Sequence, residues 1–70
     1  MNLLDINKYA SKKIKELRIK NKLSQKELAE ELGVSQQQIA RFENNQRKIT
    51  LVFIYKVANC FNVSIDYFLP

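Results

Sequence analysis

Apolar residues recur along this chain at spacings of three and four, the rhythm of helices that bury one stripe. Ala10, Ile14 and Leu17 mark such a stripe on a first helix, expected over about residues 6–22 with Asp5 as its N-cap. Ser24-Gln25-Lys26-Glu27 then reads as a capping box, in which the Ser24 and Glu27 side chains satisfy each other's free backbone N–H groups. It opens a second helix, about residues 25–32, whose inner face is Leu28, Ala29 and Leu32. Gly33 follows where a left-handed residue would end it. Ser35 with Gln38 repeats the capping pattern two residues later, so a third helix is expected over about 36–44 with Ile39 and Phe42 inward. Thr50 and Ser64 are N-caps for a fourth helix, about 51–61, and a short fifth, about 65–69, where Asp66 suits the helix dipole.

One glycine and one proline leave little turn material for hairpins, so the fold expected is all-α, a compact five-helix single domain over residues 1–70. At this length a chain is near the lower limit for folding without staples. Cys60 cannot pair within the chain, and with no histidine the usual zinc sets and His-based catalytic arrangements are excluded. No nucleophile-base pair or Gly-rich phosphate loop can be assembled either, so no enzyme, metal or cofactor is expected. The longest apolar run, Leu51 to Tyr55, falls far short of the ~18 residues that span a membrane. Neither does the N-terminus read as a signal peptide, so a reducing cytoplasm is the expected setting. A formal net charge of +5 suits a polyanionic partner. The lysines of the first third fall mostly outside the buried stripe and read as a solvated face.

The second and third helices are joined by very little chain. Counting from Gln25, the fifth residue is Ala29, the ninth Gly33 and the fifteenth Ile39. These are small where a second helix must cross closely, flexible at the turn and β-branched in the shared core, as a helix-turn-helix requires. Over about Ala10 to Phe68 the chain resembles the lambda-repressor/Cro-like, or XRE, helix-turn-helix family. The resemblance rests on Leu17-Arg18, on Leu23 to Ala29, on Leu32 to Ser35, on Ile39 to Asn44, on Val57-Ala58 and on Phe61 to Asp66. It departs at Asn45, where the family very often has glycine, so an asparagine-based C-cap is expected there.

A helical wheel centred on Ile39 and Phe42 puts Gln37, Ala40, Arg41 and Asn44 outward, with Gln36 at the exposed N-terminus. Glutamine can pair with adenine N6 and N7, and arginine with guanine O6 and N7, so Gln36, Gln37 and Arg41 are the candidate base readers. The resemblance implies readers at the same positions. Gln25, at a helix N-terminus, is placed to hold a phosphate, and the resemblance implies that role too. Asn44, Asn45, Arg47 and Lys48 follow the third helix where a neighbouring phosphate would lie; an ordinary polar loop is the alternative, equally weighted for Lys48. The wheel puts Glu43 at the edge of the buried side, and the resemblance implies a structural ion pair between Arg18 and Glu43. The implied function is a bacterial or phage-type repressor that binds double-stranded DNA as a homodimer.

The competing reading is a protein-interaction module, such as an antitoxin with secondary DNA binding. Besides a core stripe of Leu51, Ile54, Ala58 and Phe61, the fourth helix carries Phe53, Val57 and Cys60 on an adjoining side. With the C-terminal segment Tyr67, Phe68 and Leu69 these form the expected dimer interface, on the assumption that the monomer core needs Phe53, Val57, Cys60 and Tyr67 least. Self-association and a foreign protein partner fit that surface equally well.

Overall fold

A computed structural model describes residues 3–70. Four α-helices, α1 (Leu3–Lys20), α2 (Gln25–Leu32), α3 (Gln36–Glu43) and α4 (Leu51–Phe61), are followed by a 3-10 turn over Ile65–Phe68. No strand occurs among the described residues. None of their helices is long and apolar enough to cross a membrane.

Both ends of α1 and the type of the last element differ from expectation. Helix α1 begins at Leu3, so Asp5 lies in its first turn and not at the N-cap, where its charge still complements the helix dipole. The expected fifth helix is a 3-10 turn: Ser64 accepts the Asp66 amide at 3.2 Å through Oγ and the Tyr67 amide at 3.0 Å through its carbonyl. Four residues give no room for the i to i+4 ladder to establish itself. The turn nonetheless delivers Phe68 wholly into the core, against α1 and α4.

All four α-helices end in one way. Lys22, Gly33, Asn45 and Asn62 adopt left-handed backbone, with φ of 59°, 68°, 57° and 55°. After each, the next amide bonds back to a carbonyl five residues earlier: Leu23 to Arg18, Val34 to Ala29, Gln46 to Arg41 and Val63 to Ala58, at 2.8–3.1 Å. This is the Schellman motif, which satisfies the carbonyls a helix end leaves free.

Ile14, Leu28, Ile39, Val57 and Phe68 form the fully buried centre. On α4 the buried face is Phe53, Ile54, Val57 and Ala58, so it lies between the two stripes expected from sequence. Leu51, assigned to the core stripe, is 66% exposed, whereas Phe53 is 6% exposed and stacks on Phe42 of α3 with ring centroids 4.0 Å apart. With Phe53 turned in to stack on Phe42, Leu51 at the start of α4 is left in solvent.

Candidate nucleic-acid interface

The two serine caps fix where α2 and α3 begin. Ser24 Oγ accepts the Glu27 amide at 3.0 Å while Glu27 accepts the Ser24 amide at 2.8 Å. Those bonds to Ser24 hold the Glu27 carboxyl below its ordinary value of 4.5. Ser35 and Gln38 repeat the exchange at 3.1 Å in both directions, so the Gln38 side chain caps the helix. Between them Gly33 turns the chain. Ala29, 3% exposed, and Ile39, fully buried, sit in the core that the two helices share.

With Ile39 and Phe42 inward, Gln36, Gln37 and Arg41 are exposed on α3, and Asn44 is exposed at its C-cap. Glu43 turns the other way. Its carboxylate accepts Arg18 Nε at 2.6 Å and Arg18 Nη2 at 3.0 Å, and Gln25 Nε2 at 3.1 Å. The Glu43 side chain is 1% exposed and that of Arg18 12%, and Arg18 Nη1 also donates to the Leu23 carbonyl at 2.7 Å. One carboxylate thus ties together the C-terminal end of α1, the first residue of α2 and the last residue of α3. Gln25 is half-buried, and its amide is already engaged within the protein.

The segment after α3 carries Asn44, Asn45, Arg47 and Lys48, all exposed. The Arg47 guanidinium lies 5.6 Å from the Phe42 ring centroid. Sequence reasoning missed Asn7 of α1, whose side chain accepts the Ile49 amide at 2.6 Å and donates to Asn45 Oδ1 and, at 3.5 Å, to the Arg47 carbonyl. Nothing local marks it: its partners lie some forty positions along the chain.

The expected dimer interface requires correction. Phe53, Val57 and Phe68 are core residues at 6%, 0% and 0% exposure, so they are unavailable to a partner. Tyr67 is half-buried, edge-on to Phe68 and 5.3 Å below the Lys13 ammonium. Cys60 and Leu69 are exposed. Partial burial, and then the charge of Glu31, push the Cys60 thiol up, which keeps it a weak nucleophile. The exposed apolar surface of α4 lies elsewhere, on Leu51, Val52 and Tyr55 at 56–67% exposure. Among the described residues no three of His, Cys, Asp and Glu gather as a metal site.

The model of the helix-turn-helix family HTH_3 matches residues 14–68. The HTH-type transcriptional regulator ImmR of Bacillus subtilis is 36% identical over 58 residues, covering 83% of this chain and 46% of the relative. A propionyl-CoA carboxylase regulator of Cereibacter sphaeroides is 39% identical over 57 residues, 81% of this chain and 12% of that protein. The chain thus spans less than half the length of either relative. Among solved structures, the restriction-modification controller protein C.AhdI of Aeromonas hydrophila matches with a TM-score of 0.86 at 25% identity, covering 99% of this chain and 100% of that one.

Proposed function

This chain belongs to the helix-turn-helix family HTH_3, the XRE type of transcriptional regulator, and we propose that it is a repressor that binds a pseudo-palindromic operator in double-stranded DNA as a homodimer. One observation carries the reading: α3 exposes Gln36, Gln37 and Arg41 together, while its other side is locked by Ile39, Phe42 and the buried Glu43. Such a helix can enter a major groove as a rigid body and offer bidentate partners to adenine and guanine.

The remaining residues grip the backbone. Gln25 stands at the N-terminus of α2, where free N–H groups favour a phosphate, and Glu43 holds its side chain in place. Asn44, Asn45, Arg47 and Lys48 hold the phosphate at the opposite end of α3. Arg18 and Glu43 take no part in readout; they fix α3 against α1.

A single short helix discriminates poorly against a genome of competing sites, and doubling the contacts answers this. The second copy is proposed to seat on Leu51, Val52 and Tyr55, a cluster that the monomer leaves exposed. A foreign protein on the same patch, as in an antitoxin, is the second reading; the mass of the natively purified protein separates them, two identical chains supporting the repressor.

Selection of bound sequences from a random DNA pool tests the function. Enrichment of a pseudo-palindrome with half-site centres one helical turn apart is expected, and no enrichment overturns the reading. Arg41→Ala is expected to lose about 1–3 kcal/mol and relax one base position, whereas Arg47→Ala weakens all sequences alike and lowers the salt slope by about one.

A further inference from the structure

Past Gln46, whose amide closes the end of α3 on the Arg41 carbonyl, the backbone has little to hold it. Residues 45–50 belong to no helix, and the turn passes over an open cleft of about 290 Å³ whose walls include Ile6, Ala10, Ile49 and Ile54. Asn7 also lines that cleft. Its carboxamide meets the segment at three alternate residues, accepting from the Ile49 amide and donating to the Asn45 side chain and the Arg47 carbonyl. Opposite hydrogen-bonding characters on one short planar group are what this needs, and asparagine is the shortest side chain that supplies them. One turn on, Ser11 Oγ donates to the Asn7 carbonyl at 2.8 Å and is 2% exposed, so the base of the strut is itself anchored.

We infer that Asn7 is a positioning residue for DNA binding, which holds residues 45–49 in the shape from which Arg47 and Lys48 reach a backbone phosphate. The inference rests on the reading that this segment grips DNA. Asn7 touches no DNA in this arrangement and acts through the loop. The bonds bracket Arg47, at the Asn45 side chain before it and the Ile49 amide after it, and so restrict how far its backbone swings when the side chain extends to a phosphate. Without them the loop samples other shapes, and binding must order it again.

Asn7→Ala is compared with the wild-type chain on the selected operator over a range of salt, well below the unfolding midpoint, with the exchange rate of the Ile49 amide read in the free protein. Faster Ile49 exchange, about a three- to tenfold loss of affinity shared by all sequences, and a salt slope lowered by about one are expected. In an Arg47→Ala background the loss should shrink, because the group being positioned is gone. If Asn7→Ala only lowers the unfolding temperature and leaves affinity and salt slope intact, Asn7 is structural and the inference fails. If Arg47→Ala and Lys48→Ala themselves leave the slope intact, it is the phosphate-gripping reading that fails. Should the alanine variant be unfolded, Asn7→Asp replaces it, since it keeps the acceptor for the Ile49 amide but loses both donated bonds; wild-type affinity in that variant also overturns the inference.

Discussion

Glu43 shows how one buried carboxylate is made tolerable: three donated hydrogen bonds, two of them from a guanidinium, surround a side chain only 1% exposed. The two partners do not depend on each other equally. Arg18 is 12% exposed and retains the Leu23 carbonyl if Glu43 is lost, whereas Glu43 without Arg18 keeps only the Gln25 amide. Removing one member of a buried pair costs about 3–5 kcal/mol, so Arg18→Ala is expected at the upper end of that range and Glu43→Ala below it. Arg18→Met with Glu43→Leu, which removes both charges at similar volume, is expected to recover much of the loss. Denaturant unfolding of the two alanine variants and their double checks the coupling; additive losses would deny it.

At the scale of the helix, the four left-handed ends are filled by different residues. Gly33 enters this backbone without strain, and Asn45 and Asn62 tolerate it because a short polar side chain suits the region. Lys22 has neither advantage. Lys22→Gly is therefore expected to stabilise the fold by about 1 kcal/mol, raising the midpoint of thermal unfolding by about 4–8 °C. A lower midpoint would mean that glycine's greater freedom in the unfolded chain outweighs the relief.

Sequence legibility follows the same line. Both capping boxes, the Thr50 and Ser64 caps and the turn at Gly33 could be read because each is written in residues close together with distinct chemistry. Lys22 gave no such signal, and the end of α1 was expected two residues late. The face of α4 was misjudged for another reason. Leu51 and Phe53 are both apolar, and only the position of Phe42, set by the packing of α3, decides which of them is buried. Asn7 was invisible because its chemistry depends on where residues 45–49 come to lie.

The whole molecule separates its tasks by surface. Gln36, Gln37 and Arg41 line one exposed face, while Leu51, Val52 and Tyr55 leave apolar area on α4. Two substitutions tell a spare apolar residue from a core one. Val52→Lys is expected to leave the monomer folded while weakening dimerisation and operator binding. Phe53→Lys is expected to unfold the chain, because it puts a charge where a ring stacks on Phe42. Sedimentation and circular dichroism of both variants decide this; a Val52→Lys protein that still dimerises moves the interface off α4.

The struts of Asn7 join residues 38, 40 and 42 positions apart, whereas α2 and α3 meet across a three-residue connection. Distant contacts form only after the entropy of closing the intervening chain has been overcome. Folding is therefore expected to run from the middle outward, with the helix pair assembled in the transition state and α1 clasping residues 45–49 on the downhill side. In kinetic terms, Ala29→Gly should mainly slow refolding and Asn7→Ala mainly hasten unfolding, as stopped-flow chevrons of the two variants would register. If residues 45–49 grip the DNA backbone as proposed, that grip is expected to form late in folding and to be lost first as the molecule opens, before α2 and α3 come apart.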